Sequence, residues 1–128
     1  MYTLDKWDER VCREIVDAAF KVHTNLGPGL LEKIYEACFC HELTKKGLAV
    51  EKQVNCPLKY DGIILEHPLR IDVLIEDAII CEIKAVDKVN PVWEAQLLTY
   101  LKLTGNHIGF RINFNEVLIK NGIRRYCL

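Results

Sequence analysis

The run from Val54 to Val86, VNCPLKYDGIILEHPLRIDVLIEDAIICEIKAV, is the part of this chain with the least freedom. Val, Ile and Leu dominate it, and turn signals divide it at Asp61-Gly62 and Glu76-Asp77. Asp-Gly between apolar runs is a strong hairpin signal. The pattern predicts an antiparallel meander, with strands near 50–60, 63–66, 69–76 and 79–86. Within the apolar stretches 71–75 and 79–86 of the last two strands, three charged residues interrupt: Asp72 in the first, and Glu82 and Lys84 in the second. They are the feature that any functional reading has to explain.

Helical periods flank the meander. Val11, Ile15, Ala18, Ala19 and Val22 recur at helical spacing, so residues 5–24 are predicted helical, and NLGPG at 25–29 ends that helix. A second helix follows from about Leu30 to Lys46, with Gly47 as its stop. A third lies between Pro91 and Gly105. HIGFRINF reads as a strand, and VLIKNGIRRYC as a final hairpin turned at Asn121-Gly122. Two helices, a meander, a helix and further strands define an α/β (α+β) fold with a central sheet and helices packed on it. With 128 residues the expectation is a single domain over 1–128, large enough to build its own core.

The formal net charge of −1 gives no global field for nonspecific binding to nucleic acid, and leaves a local basic patch open. The six cysteines include no C-x-x-C pair, most sit in apolar runs, and the N-terminus is polar rather than a signal peptide. Reduced, mostly buried thiols and a cytoplasmic location are expected. The apolar runs stop well short of the roughly 20 residues of a membrane span, so no membrane partner is expected.

Side chains alternate along a strand, so Glu82 and Lys84 share one face. If Glu76-Asp77 is a two-residue turn, Ile75 pairs with Ala78, and Asp72 lies opposite Cys81. Asp72 and Glu82 then sit diagonally on opposite faces, and only a bulge or a splayed hairpin end brings them together. Spacing alone leaves two accounts of the trio. One, which spacing favours, is an ordinary ion pair on a solvent-facing strand. The other is a Mg²⁺ or Mn²⁺ site, since a hard cation prefers oxygen ligands and relieves the repulsion of two close carboxylates.

Longer motifs weigh on that choice. GLLEKIY at 29–35 resembles the signature of the GxxExxY family. Asp72 followed by Glu82-Ile83-Lys84 resembles the PD-(D/E)XK nuclease signature, and QLLTY at 96–100 resembles the QxxxY motif of its RecB-type members. The order of the motifs agrees, from about His23 to Arg125. Ile71 stands where many members have a proline before the aspartate. The resemblance implies a restriction-endonuclease-like fold with a central mixed sheet flanked by helices. It implies metal ligation by Asp72, Glu82, the Ile83 carbonyl and Glu32, and Lys84 as the catalytic lysine. Gln96 would join the catalytic set, with Tyr35 and Tyr100 beside the substrate. Each has a plainer account: Glu32 suits a helix N-terminus, Gln96 and Tyr100 a surface pair, and Tyr35 a core position. The four histidines are scattered over different elements and are expected to be non-catalytic.

The expected function is that of a Mg²⁺- or Mn²⁺-dependent nuclease hydrolysing phosphodiester bonds of nucleic acid, DNA foremost, by metal-activated water. Candidate backbone contacts are Lys45, Lys46, Lys52, Lys88, Lys102, Arg111, Lys120, Arg124 and Arg125. A homodimer or a larger complex is expected of so small a nuclease domain. The alternative is a catalytically silent module of the same fold that binds nucleic acid or a partner protein. A two-carboxylate glycosidase leaves Lys84 and Gln96 without a role.

Overall fold

The computed structural model describes residues 2–128, leaving out the side chains of residues 67 and 68. The helices are α1 (Lys6–Leu26), α2 (Glu32–Lys45) and α3 (Val92–Thr104). The strands are β1 (Val50–Tyr60), β2 (Ile63–Ile75), β3 (Ile79–Lys84), β4 (Ile108–Asn113) and β5 (Ile123–Cys127). They form one sheet in the order β1-β2-β3-β4-β5. All neighbours are antiparallel except β3 and β4, which run parallel and are joined through α3. The mixed sheet flanked by helices matches the sequence-based expectation.

Local chemistry explains the helix ends. Asp5 and Asp8 form a reciprocal capping box at the start of α1. The chain then turns through Gly27 and Gly29, both at positive φ (67° and 98°), where a side chain would be strained. The Tyr35 hydroxyl closes this turn, donating to the Gly27 carbonyl at 2.6 Å and accepting from the Leu30 N–H at 3.0 Å. Gly105 ends α3 in the left-handed conformation.

Two cores cover the two faces of the sheet. Ile15, Ala18 and Ala19 of α1 and Tyr35, Phe39 and Leu43 of α2 pack with Val73, Ile75, Ile79, Cys81, Ile83, Phe110 and Ile112. Tyr35 stacks on Phe114 at 4.8 Å between ring centroids. On the other face, Leu97, Tyr100 and Leu101 of α3 pack with Cys56, Ile71, Leu74 and Ile80. Cysteines 12, 40, 56 and 81 are buried, and all six thiols are free. Burial pushes the Cys40 thiol up to about 11 and that of Cys81 well above its ordinary value, which keeps both inert.

Two boundaries differ from the sequence reading. The strands expected at 63–66 and 69–76 are one strand, β2, and the register against β1 shifts between Cys56 and Leu58. The shift absorbs the irregularity within a continuous strand. Asn121-Gly122 does not turn a hairpin either. Ile119–Asn121 is a short 3₁₀ turn, and β5 pairs with β4, so residues 114–122 form the connection. Gly122 has an ordinary negative φ of −98°. Its requirement is space, because an added Cβ would lie 2.1 Å from the Asn113 carbonyl oxygen. The Gly122 carbonyl accepts the Asn113 N–H at 2.9 Å, which clamps the end of β4. Gly122→Ala is expected to destabilise the protein by about 1–3 kcal/mol in urea unfolding.

Candidate functional site

β3 places Cys81 and Ile83 in the α1/α2 core, so the alternate residues Glu82 and Lys84 face α3. The position of Asp72 corrects the expected register. The β2–β3 turn takes three residues, with Glu76 and Asp77 both at positive φ (54° and 52°) and the Ala78 N–H bonded to the Ile75 carbonyl. Ile75 therefore pairs with Ile79, Leu74 with Ile80 and Val73 with Cys81. One residue further along, Asp72 falls opposite Glu82 rather than Cys81.

The sheet opens at that point. The β2–β3 ladder stops at Val73–Cys81. Asp72 Oδ2 takes up the slack by accepting the Ile83 N–H at 2.9 Å. The carbonyl of a strand residue projects to the same side as its N–H, so the Ile83 carbonyl also faces β2. On the other side of Asp72, the β1–β2 pairing passes from Lys52–Val73 to Val54–Ile71, with Gln53 between them at φ 53°. Ile71 and Val73 lie two apart and would share a face in a regular strand. They pack into different cores instead, so the strand rolls over at Asp72.

Electrostatics set this place apart. Glu82 is 7% exposed, and its Oε1 is buried without a hydrogen-bond partner among the described residues. Burial and then the adjacent Asp72 carboxylate raise the Glu82 carboxyl to about 9, outweighing the opposing pull of Lys84. Lys84 forms no ion pair with either carboxylate among the described residues. Its Nζ sits over the Trp93 ring, 4.3 Å from the centroid. The ion pair on a wet strand, favoured by spacing alone, is therefore not what forms: β3 is buried, and the amine does not neutralise the acids.

The other expected site residues separate. Glu32 opens α2 at the rim of the site. Partial burial, then the charge of Asp72, raise its carboxyl against the effect of Lys84. Tyr100 is 5% exposed, and burial followed by the charges of Glu82 and Asp72 raises its hydroxyl. Gln96 is exposed one turn before Tyr100, on the helix face that also carries Trp93. Tyr35 does not reach the site. It is fully buried, and both sides of its hydroxyl serve the turn before α2, so its role is to fix where α2, and hence Glu32, begins. His23 and His107 bond the carbonyls of Glu116 and Leu128, away from the carboxylates, and the side chain of His67 lies outside the described residues.

Sequence reasoning passed over Trp93, although its place three residues before Gln96 was a readable helical signal. It also passed over Lys33 and Arg70, which line a cleft beside Asp72. Of the nine cations it named, only Lys52 lines that cleft. Lys45, Lys46 and Arg125 pair with Glu42, Glu14 and Glu9. Arg111 is the register partner of Glu82 on β4, and its Nε is a second buried atom without a partner among the described residues.

No three His, Cys, Asp or Glu side chains among the described residues converge as a ready-made metal cluster. Two opposed carboxylates, one with an orphaned oxygen, and a backbone carbonyl facing the same gap do suit Mg²⁺, which uses one or two carboxylates and keeps several waters.

This architecture is that of a mixed α/β nuclease-like domain with an acidic centre at an opened strand pair. A family model for the PD-(D/E)XK nuclease superfamily matches residues 9–126, and the chain belongs to that superfamily. Comparison with curated proteins and with solved structures gives no match. No helix among the described residues is long and apolar enough to cross a membrane.

The raised Glu82 carboxyl has a consequence for stability. The folded state holds a proton that the unfolded chain releases near 4.5, so the associated stability is complete below that pH and is lost as pH rises towards about 9. Metal-free protein should therefore lose thermal stability between those values. Glu82→Gln should flatten the slope and stabilise the protein at pH 8 by on the order of a few kcal/mol. Melting curves against pH in EDTA measure both.

Proposed function

We propose that the protein is a divalent-cation-dependent nuclease hydrolysing phosphodiester bonds of nucleic acid, with DNA as the first substrate to test. The observation that carries this reading is the opposition of Asp72 and Glu82 across the parted strands while Lys84 rests on Trp93. A buried acid beside a half-buried one, neither in an ion pair among the described residues, has a strong demand for a cation.

Asp72, Glu82 and the Ile83 carbonyl would hold Mg²⁺ or Mn²⁺, and Glu32 would reach it through water from the rim. When bound, such an ion neutralises the two acids, polarises a phosphoryl oxygen and favours ionised water. The Ile83 N–H keeps Asp72 oriented by donating to Oδ2. Lys84, held by the Trp93 ring beside the acids, presents positive charge to an entering phosphate and stabilises the negative charge that develops on it. Gln96 and Tyr100 border the substrate from α3. The free, mostly buried thiols support a cytoplasmic setting.

Cleavage of single-stranded, duplex and branched DNA and of RNA, each with Mg²⁺, Mn²⁺ or EDTA, tests the reading. Lys84→Ala and Asp72→Asn should each reduce cleavage by about 10²-fold or more. Mutants as active as the wild type, or no cleavage of any substrate, would remove the nuclease. Calorimetry with Mn²⁺ locates the ion: binding should vanish in Glu82→Gln and persist in Glu116→Gln.

A further inference from the structure

A cleft of about 540 Å³ opens beside the acids, between the first turns of α2 and the inner part of the β1–β2 hairpin. Glu32 and Asp72 lie in its wall, so it adjoins the candidate site directly. Three cations line it from three elements: Lys33 on α2, Lys52 on β1 and Arg70 on β2. All three are exposed, and none makes an ion pair among the described residues, unlike Lys21, Lys45, Lys46 and Arg125. The strand distortion that exposes Asp72 also builds this cleft, because Gln53, at φ 53°, lies in its wall.

Three carboxylates, Glu32, Glu36 and Asp72, line the cleft as well, and Glu36 accepts from Gln53 Nε2 at 3.0 Å. The cations stand on both walls without ion pairs to these acids among the described residues, so they suit the phosphates of a polyanion running between the walls. The volume corresponds to a space roughly 8 Å on edge, narrower than even the major groove of a duplex at ~12 Å. A duplex has no room there, whereas a single sugar-phosphate chain does. The geometry points to the α2/β1–β2 cleft as the channel for one unpaired nucleic-acid strand, with Lys33, Lys52 and Arg70 holding its phosphates beside the acidic centre. This rests on the nuclease reading and adds to it the form of the substrate and the direction from which the strand arrives.

Binding, measured without cleavage, is the test. Fluorescence anisotropy in EDTA follows a labelled oligothymidine, and a duplex of equal length, over a salt series. Lys33→Ala/Lys52→Ala/Arg70→Ala should weaken single-strand binding about tenfold or more. Its log K against log salt slope should flatten by about 2, since each neutralised phosphate of a single strand contributes about 0.7. Lys6→Ala/Arg10→Ala, which removes two exposed cations of α1 outside the cleft, should change little. Charge-preserving Lys33→Arg/Lys52→Arg/Arg70→Lys should bind like the wild type, and the wild type should prefer the single strand to the duplex. An unaltered slope in the cleft variant, equal losses in the cleft and control variants, or tighter binding of the duplex would overturn the proposal. The two readings fail separately. A wild type that cleaves while the cleft variant binds normally rejects the channel alone. Cleft-dependent binding without any cleavage rejects the nuclease alone.

Discussion

The structure turns on the opposition of Asp72 and Glu82 across two strands that part where they meet. Bringing two carboxylates together inside a sheet is unfavourable, since each loses water and each repels the other. The fold accommodates them by ending the β2–β3 ladder at Val73–Cys81 and letting Asp72 Oδ2 replace the missing acceptor for the Ile83 N–H. One acid is thereby fixed by a hydrogen bond, while the other keeps a buried oxygen without a partner among the described residues. An arrangement so poorly satisfied is a local cost to stability, of the kind natural proteins retain at functional sites.

The rest of the molecule holds that arrangement in place. The α1/α2 core grips β3 through Cys81 and Ile83, which commits Glu82 and Lys84 to the opposite side. The α3 core closes over that side with Tyr100 and Leu97 and keeps Glu82 away from bulk water. Trp93 receives the Lys84 ammonium, so the amine stays beside the acids without cancelling them. At the other edge, the Tyr35 hydroxyl ties the Gly27–Leu30 turn and thereby sets where α2 starts and where Glu32 stands. Most of these contacts lie outside the acidic centre, and each acts by limiting where a charged group can go.

Much of this was legible in the chain. The three helices, the meander and the later strands followed from periodicity and from Gly, Pro and Asp-Gly signals, because those features act locally. Asp72, Glu82 and Lys84 stood out because charges are scarce in apolar strands. Three things were not legible. The register at Asp72 depends on whether the turn takes two residues or three, and Glu-Asp does not specify which. Tyr35 reads the same whether it faces substrate or core, and only the packing against Phe114 and the turn before α2 places it in the core. The pairing of β5 with β4 is nonlocal, and Asn121-Gly122 imitates a hairpin that does not form.

The sequence by itself determined the kinds of element, their order, the two acids, the amine and the superfamily signature, since these are properties of residue type and spacing. Only the tertiary structure decided that the acids face each other, that Lys84 rests on an aromatic ring rather than on a carboxylate, and that Lys33, Lys52 and Arg70 share a cleft. Those outcomes depend on strand register, on the roll of β2 at Asp72 and on the meeting of segments far apart in the chain. A carboxylate has the same formula on a wet strand and in a buried gap. The surroundings that the fold assembles decide whether it needs a cation.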